Sequence, residues 1–204
     1  MIHTSSASIR AAFDGPGISG AAGDGPDWLA ANGGAGDGRE LTPAAVLVPI
    51  VRRDDAPTVL FTRRTDHLKS HSGQISFPGG RIEERDESPE AAALRETGEE
   101  IGLAAGEVEL LGRLDMRETG TGYRVFPVVG MVVPPLALVP DAHEVAEIFE
   151  VPLAFLVDPA NHRFETRVSG NVERQFYAIP YGSYFIWGLT ARILVNLGEV
   201  LRRP

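Results

Sequence analysis

The stretch FPGGRIEERDESPEAAALRETGEEIGL, residues 77–103, decides the fold because a glycine-containing loop runs directly into an acidic helix. Ser88 supplies a capping hydroxyl and Pro89 is favourable at a first helical position. Gly102 is a residue typical of helix ends. The pattern therefore predicts a helix between Ser88 and Gly102.

The two sides of this predicted helix differ in chemistry. At about 100° per residue, small and apolar residues share one side: Ala91, Leu94, Gly98 and Ile101. Three carboxylates share the opposite side: Glu96, Glu99 and Glu100. Since a packed helix buries its apolar side, we expect the acids to point away from the core.

Three carboxylates on one arc repel one another unless a cation lies among them, and hard divalent ions prefer carboxylate oxygen. The pattern predicts a Mg²⁺ site, with Mn²⁺ as the alternative ion, and a solvated acidic face is the competing interpretation. The adjacent Pro78-Gly79-Gly80 lets the backbone approach a ligand or turn a carbonyl toward a metal. A plain turn is the competing interpretation there.

The run RETGEEIGL, residues 95–103, resembles the second half of the Nudix box of nucleoside-diphosphate-linked hydrolases, with Thr97 in place of a bulkier aliphatic residue. The usual box has its first glutamate six residues after the glycine, where this chain has Asp86. Glu87 follows one residue later and lies at the right distance before Arg95. We interpret this as a loop that is longer by one residue.

The resemblance implies roles for the box residues. It assigns metal binding and catalysis to Glu96, Glu99 and Glu100, and the carbonyl of Gly79 as a further metal ligand. It also implies that Arg95 pairs with Glu87 to hold helix and loop together. An ordinary i,i+4 pair of Arg95 with Glu99 is the alternative.

A second motif, LFTRRTDHLKSHSGQISFPGG, covers residues 60–80 and resembles the element that marks the coenzyme A diphosphatase branch of this family. Arg64 and Gly73 match it, whereas Phe61, Thr65 and Lys69 depart from it. The resemblance implies that Arg64, Lys69 and Gly73 bind substrate. The alternative for the two cations is a solvated surface charge.

Two kinds of residue are candidates for the general base. Some family members use a glutamate of the box, and others use an acid from a later loop. Glu144 and Glu147 are placed to be that later acid, and we name Glu144 as the catalytic candidate. A solvated loop is the competing interpretation for both residues.

Composition excludes several functions. The 204 residues are 43% apolar, which suffices for one packed domain, and the chain has no cysteine for thiol chemistry. A net charge of −9 disfavours general binding to nucleic acid or anionic membranes. We expect a cytoplasmic protein that binds a small nucleotide of the coenzyme A class, with homo-oligomerisation left open.

The chain divides into a Gly- and Ala-rich arm over 1–40, with a short helix near Ser8 to Phe13, and a Nudix hydrolase domain over 41–204. Within the domain, apolar runs predict a hairpin around Asp54 and strands after the box. Periodic apolar residues predict a helix over Tyr184–Leu201. Together these predict an α/β fold: an α/β/α sandwich with a mixed central sheet and a long C-terminal helix.

Three functions are compatible with these features. The first is a Mg²⁺-dependent coenzyme A diphosphatase that releases 4′-phosphopantetheine and adenosine 3′,5′-bisphosphate. The second is a Nudix enzyme for another substrate, such as ADP-ribose or NADH. The third is a non-catalytic binding module. It is disfavoured because such a module does not need Glu96, Glu99 and Glu100, whose carboxylates repel one another.

Overall fold

The computed structural model describes residues 4–14, 41–67, 72–169 and 172–203. Its helices are α1 Ser6–Phe13, α2 Pro89–Ile101, α3 Leu153–Val157 and α4 Gly188–Val200. Short 3₁₀ turns cover Ala105–Glu107 and Pro159–Asn161. The strands are β1 Thr42–Val51, β2 Thr58–Arg64, β3 Ile75–Ser76, β4 Gly79–Arg81, β5 Val108–Arg113, β6 Arg117–Glu118, β7 Tyr123–Val132, β8 Val145–Pro152, β9 Arg163–Ser169, β10 Val172–Tyr181 and β11 Tyr184–Trp187.

A mixed eight-stranded sheet forms the centre, with β3-β2-β1-β7-β5 as its main path. β1 runs parallel to β7 along its whole length and antiparallel to β2 and β4. β8 pairs with β2, and β6 pairs with β7. A separate antiparallel sheet has the order β11-β10-β9.

Alternating residues of β1 show that the sheet is covered on both faces. Val48 and Ile50 belong to the apolar cluster that contains α1, α3 and α4, whereas Ala45 and Leu47 belong to the cluster that contains α2. Successive side chains of a strand point to opposite faces, so one strand contributes to two cores. The predicted three-layer α/β fold with a mixed sheet is confirmed.

Helix α2 has the predicted ends. The Ser88 hydroxyl accepts a hydrogen bond from the Ala91 amide at 3.1 Å, and Gly102 ends the helix in the left-handed region at φ 73°. The predicted faces are correct for Ile101, which is buried, and for Glu99, which is exposed. They are wrong for Ala91 and Leu94, which are only partly buried, and for Glu100, which is buried. Helix α2 packs against β4 as well as β1, so its buried side is rotated toward β4, the strand that carries Gly79 and Gly80.

The predicted C-terminal helix was too long at its start. Tyr184–Trp187 forms β11, which pairs antiparallel with β10, and the helix begins at Gly188. Aromatic and β-branched residues suit a strand, and the turn at Gly182, with φ 56°, brings them back onto β10. The apolar side of the remaining helix is core, as predicted.

The first part of the predicted arm packs on the domain. In α1, Ile9 and Phe13 are buried in the cluster shared with α4, and Arg10 forms two 2.6 Å hydrogen bonds with Glu109. Residues 15–40 of the predicted arm lie outside the described residues. Among the helices of the described ranges, none has the length and apolar character that a membrane span requires.

Candidate active site

Glu100 lies in the last turn of α2 and is only 7% exposed. Its Oε2 accepts a hydrogen bond from the Gly79 amide at 3.2 Å, and its Oε1 lies 3.6 Å from a guanidinium nitrogen of Arg64. Burial raises its pKa to about 7, and the nearby charges of Glu144 and Glu96 act in the same direction. The positive charge of Arg64 therefore does not offset the effect of burial on this carboxylate.

The two glycines of β4 fit this strand between β1 and α2. Gly79 has φ 149°, and a Cβ there would lie 2.6 Å from the Cα of Val46. A Cβ on Gly80 would collide with the carboxylate of Glu96. Burial also raises the pKa of Glu96, although hydrogen bonds from Arg95 oppose this effect. Gly79 thus lets β4 lie against β1, and Gly80 makes room for the carboxylate of Glu96.

Arg95 binds Asp86 and not Glu87, so the predicted Arg95–Glu87 pair was wrong. Two guanidinium nitrogens of Arg95 donate to the two Asp86 carboxylate oxygens, each at 2.9 Å. The Glu83 amide also donates to Asp86 at 2.8 Å, whereas the Glu87 side chain is exposed. These hydrogen bonds, chiefly those from Arg95, hold the pKa of Asp86 below its usual value.

The predicted longer loop is therefore absent, and Asp86 occupies the acid position six residues after Gly80. Counting forward from the glycine would have identified Asp86 from the sequence. The shorter aspartate suffices because the Arg95 side chain reaches across to it, and also donates to the Arg81 carbonyl at 3.0 Å. Helix and loop are joined as predicted, through a different acid.

Glu99 is the most exposed of the three glutamates on the acidic side of α2. Its side chain is 55% exposed and lies 3.0 Å from Arg95 and 3.5 Å from Arg85. The i,i+4 pair considered as an alternative for Arg95 is thus present together with the Asp86 pair. Arg95 also donates to Glu96 at 3.0 Å, so one guanidinium links three acids.

The structure separates the two candidate bases. A guanidinium nitrogen of Arg64 lies 3.6 Å from Glu144, so Arg64 stands between Glu144 and Glu100. The carboxylate of Glu147 instead accepts a 2.7 Å hydrogen bond from the Tyr184 hydroxyl and pairs with Arg63 at 3.1 Å. Glu144 therefore forms one acidic cluster with Glu96 and Glu100. Glu147 instead lies beside Arg63 and Tyr184.

Of the three predicted substrate-binding residues, the described structure places Arg64 and Gly73. Arg64 lies at the acidic cluster, and Lys69 is outside the described residues. Gly73, with φ 66°, borders a groove of about 530 Å³ that Arg63, Tyr184 and other residues line. This groove lies beside β11 rather than beside α2.

The acids fit a divalent cation by their chemistry. In the described part of the chain, no three acidic or histidine side chains already converge as metal ligands, and Arg95 pairs with both Glu96 and Glu99. Glu96 and Glu100 are nevertheless close enough to Glu144 for its charge to raise both their pKa values. Oxygen donors whose charges repel one another in a buried setting suit Mg²⁺ or Mn²⁺.

Comparison with known proteins shows the class to which this fold and site belong. The NUDIX domain family model matches residues 41–169, so the chain belongs to the Nudix family, whose enzymes hydrolyse nucleoside-diphosphate-linked compounds.

Individual relatives carry the same family name. The chain is 41% identical over 156 residues to the "Uncharacterized Nudix hydrolase NudL" of Yersinia enterocolitica, covering 76% of this chain and 80% of the relative. The Yersinia pestis (strain Pestoides F) protein of that name is 40% identical over 157 residues, covering 76% and 78%. A crystal structure of a Nudix hydrolase from M. Smegmatis, RenU, aligns with a TM-score of 0.49 and 25% identity, covering 58% of this chain and 81% of that chain.

Proposed function

We propose that this protein hydrolyses the diphosphate bond of coenzyme A or its derivatives in a Mg²⁺-dependent reaction. The products are 4′-phosphopantetheine and adenosine 3′,5′-bisphosphate. One observation supports the proposal above others: Arg64, a residue of the coenzyme A motif, lies 3.6 Å from both Glu100 and Glu144. The motif that distinguishes this branch is thus in contact with the acids that the chemistry requires.

The acids divide the chemical tasks. Glu96, Glu99, Glu100 and the Gly79 carbonyl would hold Mg²⁺, which supplies charge neutralisation and a lowered pKa of water. Glu144 accepts the proton of the attacking water as the new P–O bond forms and the bridging P–O bond breaks. Its side chain is 45% exposed, so water reaches it, whereas Glu100 is enclosed. Arg64 offers a guanidinium to the phosphate oxygens between these two acids.

A substrate panel tests the proposal directly. With Mg²⁺ present, we expect coenzyme A to be cleaved to the two named products, and mass spectrometry of the mixture identifies them. EDTA should abolish turnover, and added Mg²⁺ should restore it. Cleavage of ADP-ribose or NADH without cleavage of coenzyme A would assign another Nudix substrate, and binding without any cleavage would make the protein a binding module.

The 3′-phosphate gives a second test, because dephospho-coenzyme A lacks it. A shielded contact from a cation to phosphate is worth about ten- to a hundredfold in kcat/KM, so the wild type should prefer coenzyme A by that factor. Arg64→Ala should lower kcat/KM for both substrates by the same factor, because Arg64 contacts Glu100 and Glu144. Lys69→Ala should lower kcat/KM for coenzyme A only.

The ratio of kcat/KM values for the two substrates, measured in each variant, decides between these roles. A lost preference in Arg64→Ala would make Arg64 the residue that recognises the 3′-phosphate. An unchanged ratio in both variants would remove both cations from that recognition and leave the motif as support for the Pro78-Gly79-Gly80 loop.

A further inference from the structure

Thr65 directs both of its hydrogen-bond donors at the loop that carries Glu144. It follows β2 directly and is only 7% exposed. Its hydroxyl donates to the carbonyl of His143 at 2.9 Å, and its amide donates to the carbonyl of Glu144 at 3.0 Å. A buried hydroxyl with a well-placed partner restricts the position of that partner.

The same loop is also tied to the helix of the box. The Val139 amide donates to the carbonyl of Ile101 at 2.9 Å, and the Asp141 amide donates to the carbonyl of Glu100 at 2.8 Å. Within the loop, the Glu144 amide donates to the carbonyl of Asp141 at 3.0 Å. The loop is therefore held between the end of α2, where Glu100 lies, and the end of β2, where Arg64 lies.

We infer that Thr65 is a positioning residue that sets the Glu144 carboxylate beside Glu100 and Arg64 for the reaction proposed above, on which this inference rests. Arg64 and Thr65 are consecutive, so one strand end places both the guanidinium and, through Thr65, the carboxylate 3.6 Å from it. Proton transfer depends steeply on geometry, and a displacement of about 1 Å can cost about a hundredfold in rate.

Three variants separate positioning from general support of the fold. Thr65→Val keeps the shape but removes the hydroxyl, and we expect kcat to fall about tenfold with little change in KM. Thr65→Ser keeps the hydroxyl and should retain most of the activity. Thr190→Val is the matched control, because Thr190 is 8% exposed and its hydroxyl donates to the Ile75 carbonyl at 3.1 Å. It should lower Tm without lowering kcat.

A double-mutant cycle with Glu144→Gln tests the route of the effect. If Thr65 acts through Glu144, Thr65→Val should lower kcat about tenfold in the wild-type background and hardly at all in the Glu144→Gln background. A tenfold loss in both backgrounds would overturn the inference, and so would an equal loss of kcat in Thr190→Val.

Amide hydrogen exchange supplies a readout that needs no turnover. Thr65→Val should speed exchange of the Glu144 and Val145 amides, both of which donate to the Asp141 carbonyl, whereas Thr65→Ser should leave them protected. Unchanged exchange in Thr65→Val would refute the positioning role. If the wild type cleaves no substrate of the panel, the proposed function fails, and the exchange result still decides whether Thr65 holds this loop.

Discussion

Glu100→Gln is expected to lower kcat for diphosphate hydrolysis by about 10³-fold, the largest loss of activity that we predict for a substitution. The substitution keeps the shape of the side chain but removes the charge that would face the cation. The fold should persist, because burial already favours the neutral form of Glu100, whose pKa is raised to about 7. Tm should therefore stay the same or rise.

The matched control lies on the same helix. Glu90→Gln also removes one carboxylate from α2, but Glu90 pairs with Arg113 at 3.0 Å near the start of the helix. Its kcat should stay within about twofold of wild type, since the change does not touch the acidic cluster. Turnover of Glu100→Gln close to wild type at saturating Mg²⁺ would remove Glu100 from the metal site.

Asp86→Ala is expected to destabilise the protein by about 3 kcal/mol, the largest loss of stability that we predict. It would leave the guanidinium of Arg95 without its two 2.9 Å hydrogen bonds to Asp86, and the Glu83 amide without its acceptor. Urea unfolding of wild type and variant at neutral pH measures the difference.

The pH dependence of this difference has a defined sign. Because the pKa of Asp86 is lower in the folded state than in the unfolded state, its contribution is fully present above the unfolded value. The difference between wild type and Asp86→Ala should shrink as the pH falls through the lowered pKa.

Glu87→Ala is the control for this prediction, since Glu87 is the neighbouring acid and is exposed. Its stability should stay within about 0.5 kcal/mol of wild type. A loss in Glu87→Ala as large as that in Asp86→Ala would contradict the assignment of Asp86 as the partner of Arg95.

The ends of α2 could be predicted because the groups that set them are close in sequence. The Ser88 hydroxyl binds an amide three residues later, and Gly102 takes a left-handed conformation at the end of the same helix. The partner of Arg95 depends on the direction of counting, since the spacing from Gly80 selects Asp86 whereas the spacing to Arg95 selects Glu87. The path of the loop decides which carboxylate faces inward.

The C-terminal segment shows a related limit. Ile186 and Ile193 fit one apolar stripe, and both are buried in the core. The stripe alone does not show that Tyr184–Trp187 pairs with β10 as a strand, because Ile186 and Ile193 would also share one face of a continuous helix. The local signal for the strand is the two-residue turn after Tyr181, which contains Gly182. Periodicity therefore identified the buried residues better than it identified the element that carries them.

By itself, the sequence determined the box helix, the residue types of the acidic cluster and the family, because capping and motif spacing are properties of neighbouring residues. Only the tertiary structure decided that Glu100 is buried, that Arg64 lies between Glu100 and Glu144, and that Thr65 holds the loop of Glu144. Those features depend on where β2, β4 and the 139–144 loop meet the helix. Burial and long-range hydrogen bonds arise at such meeting points, which no local pattern specifies.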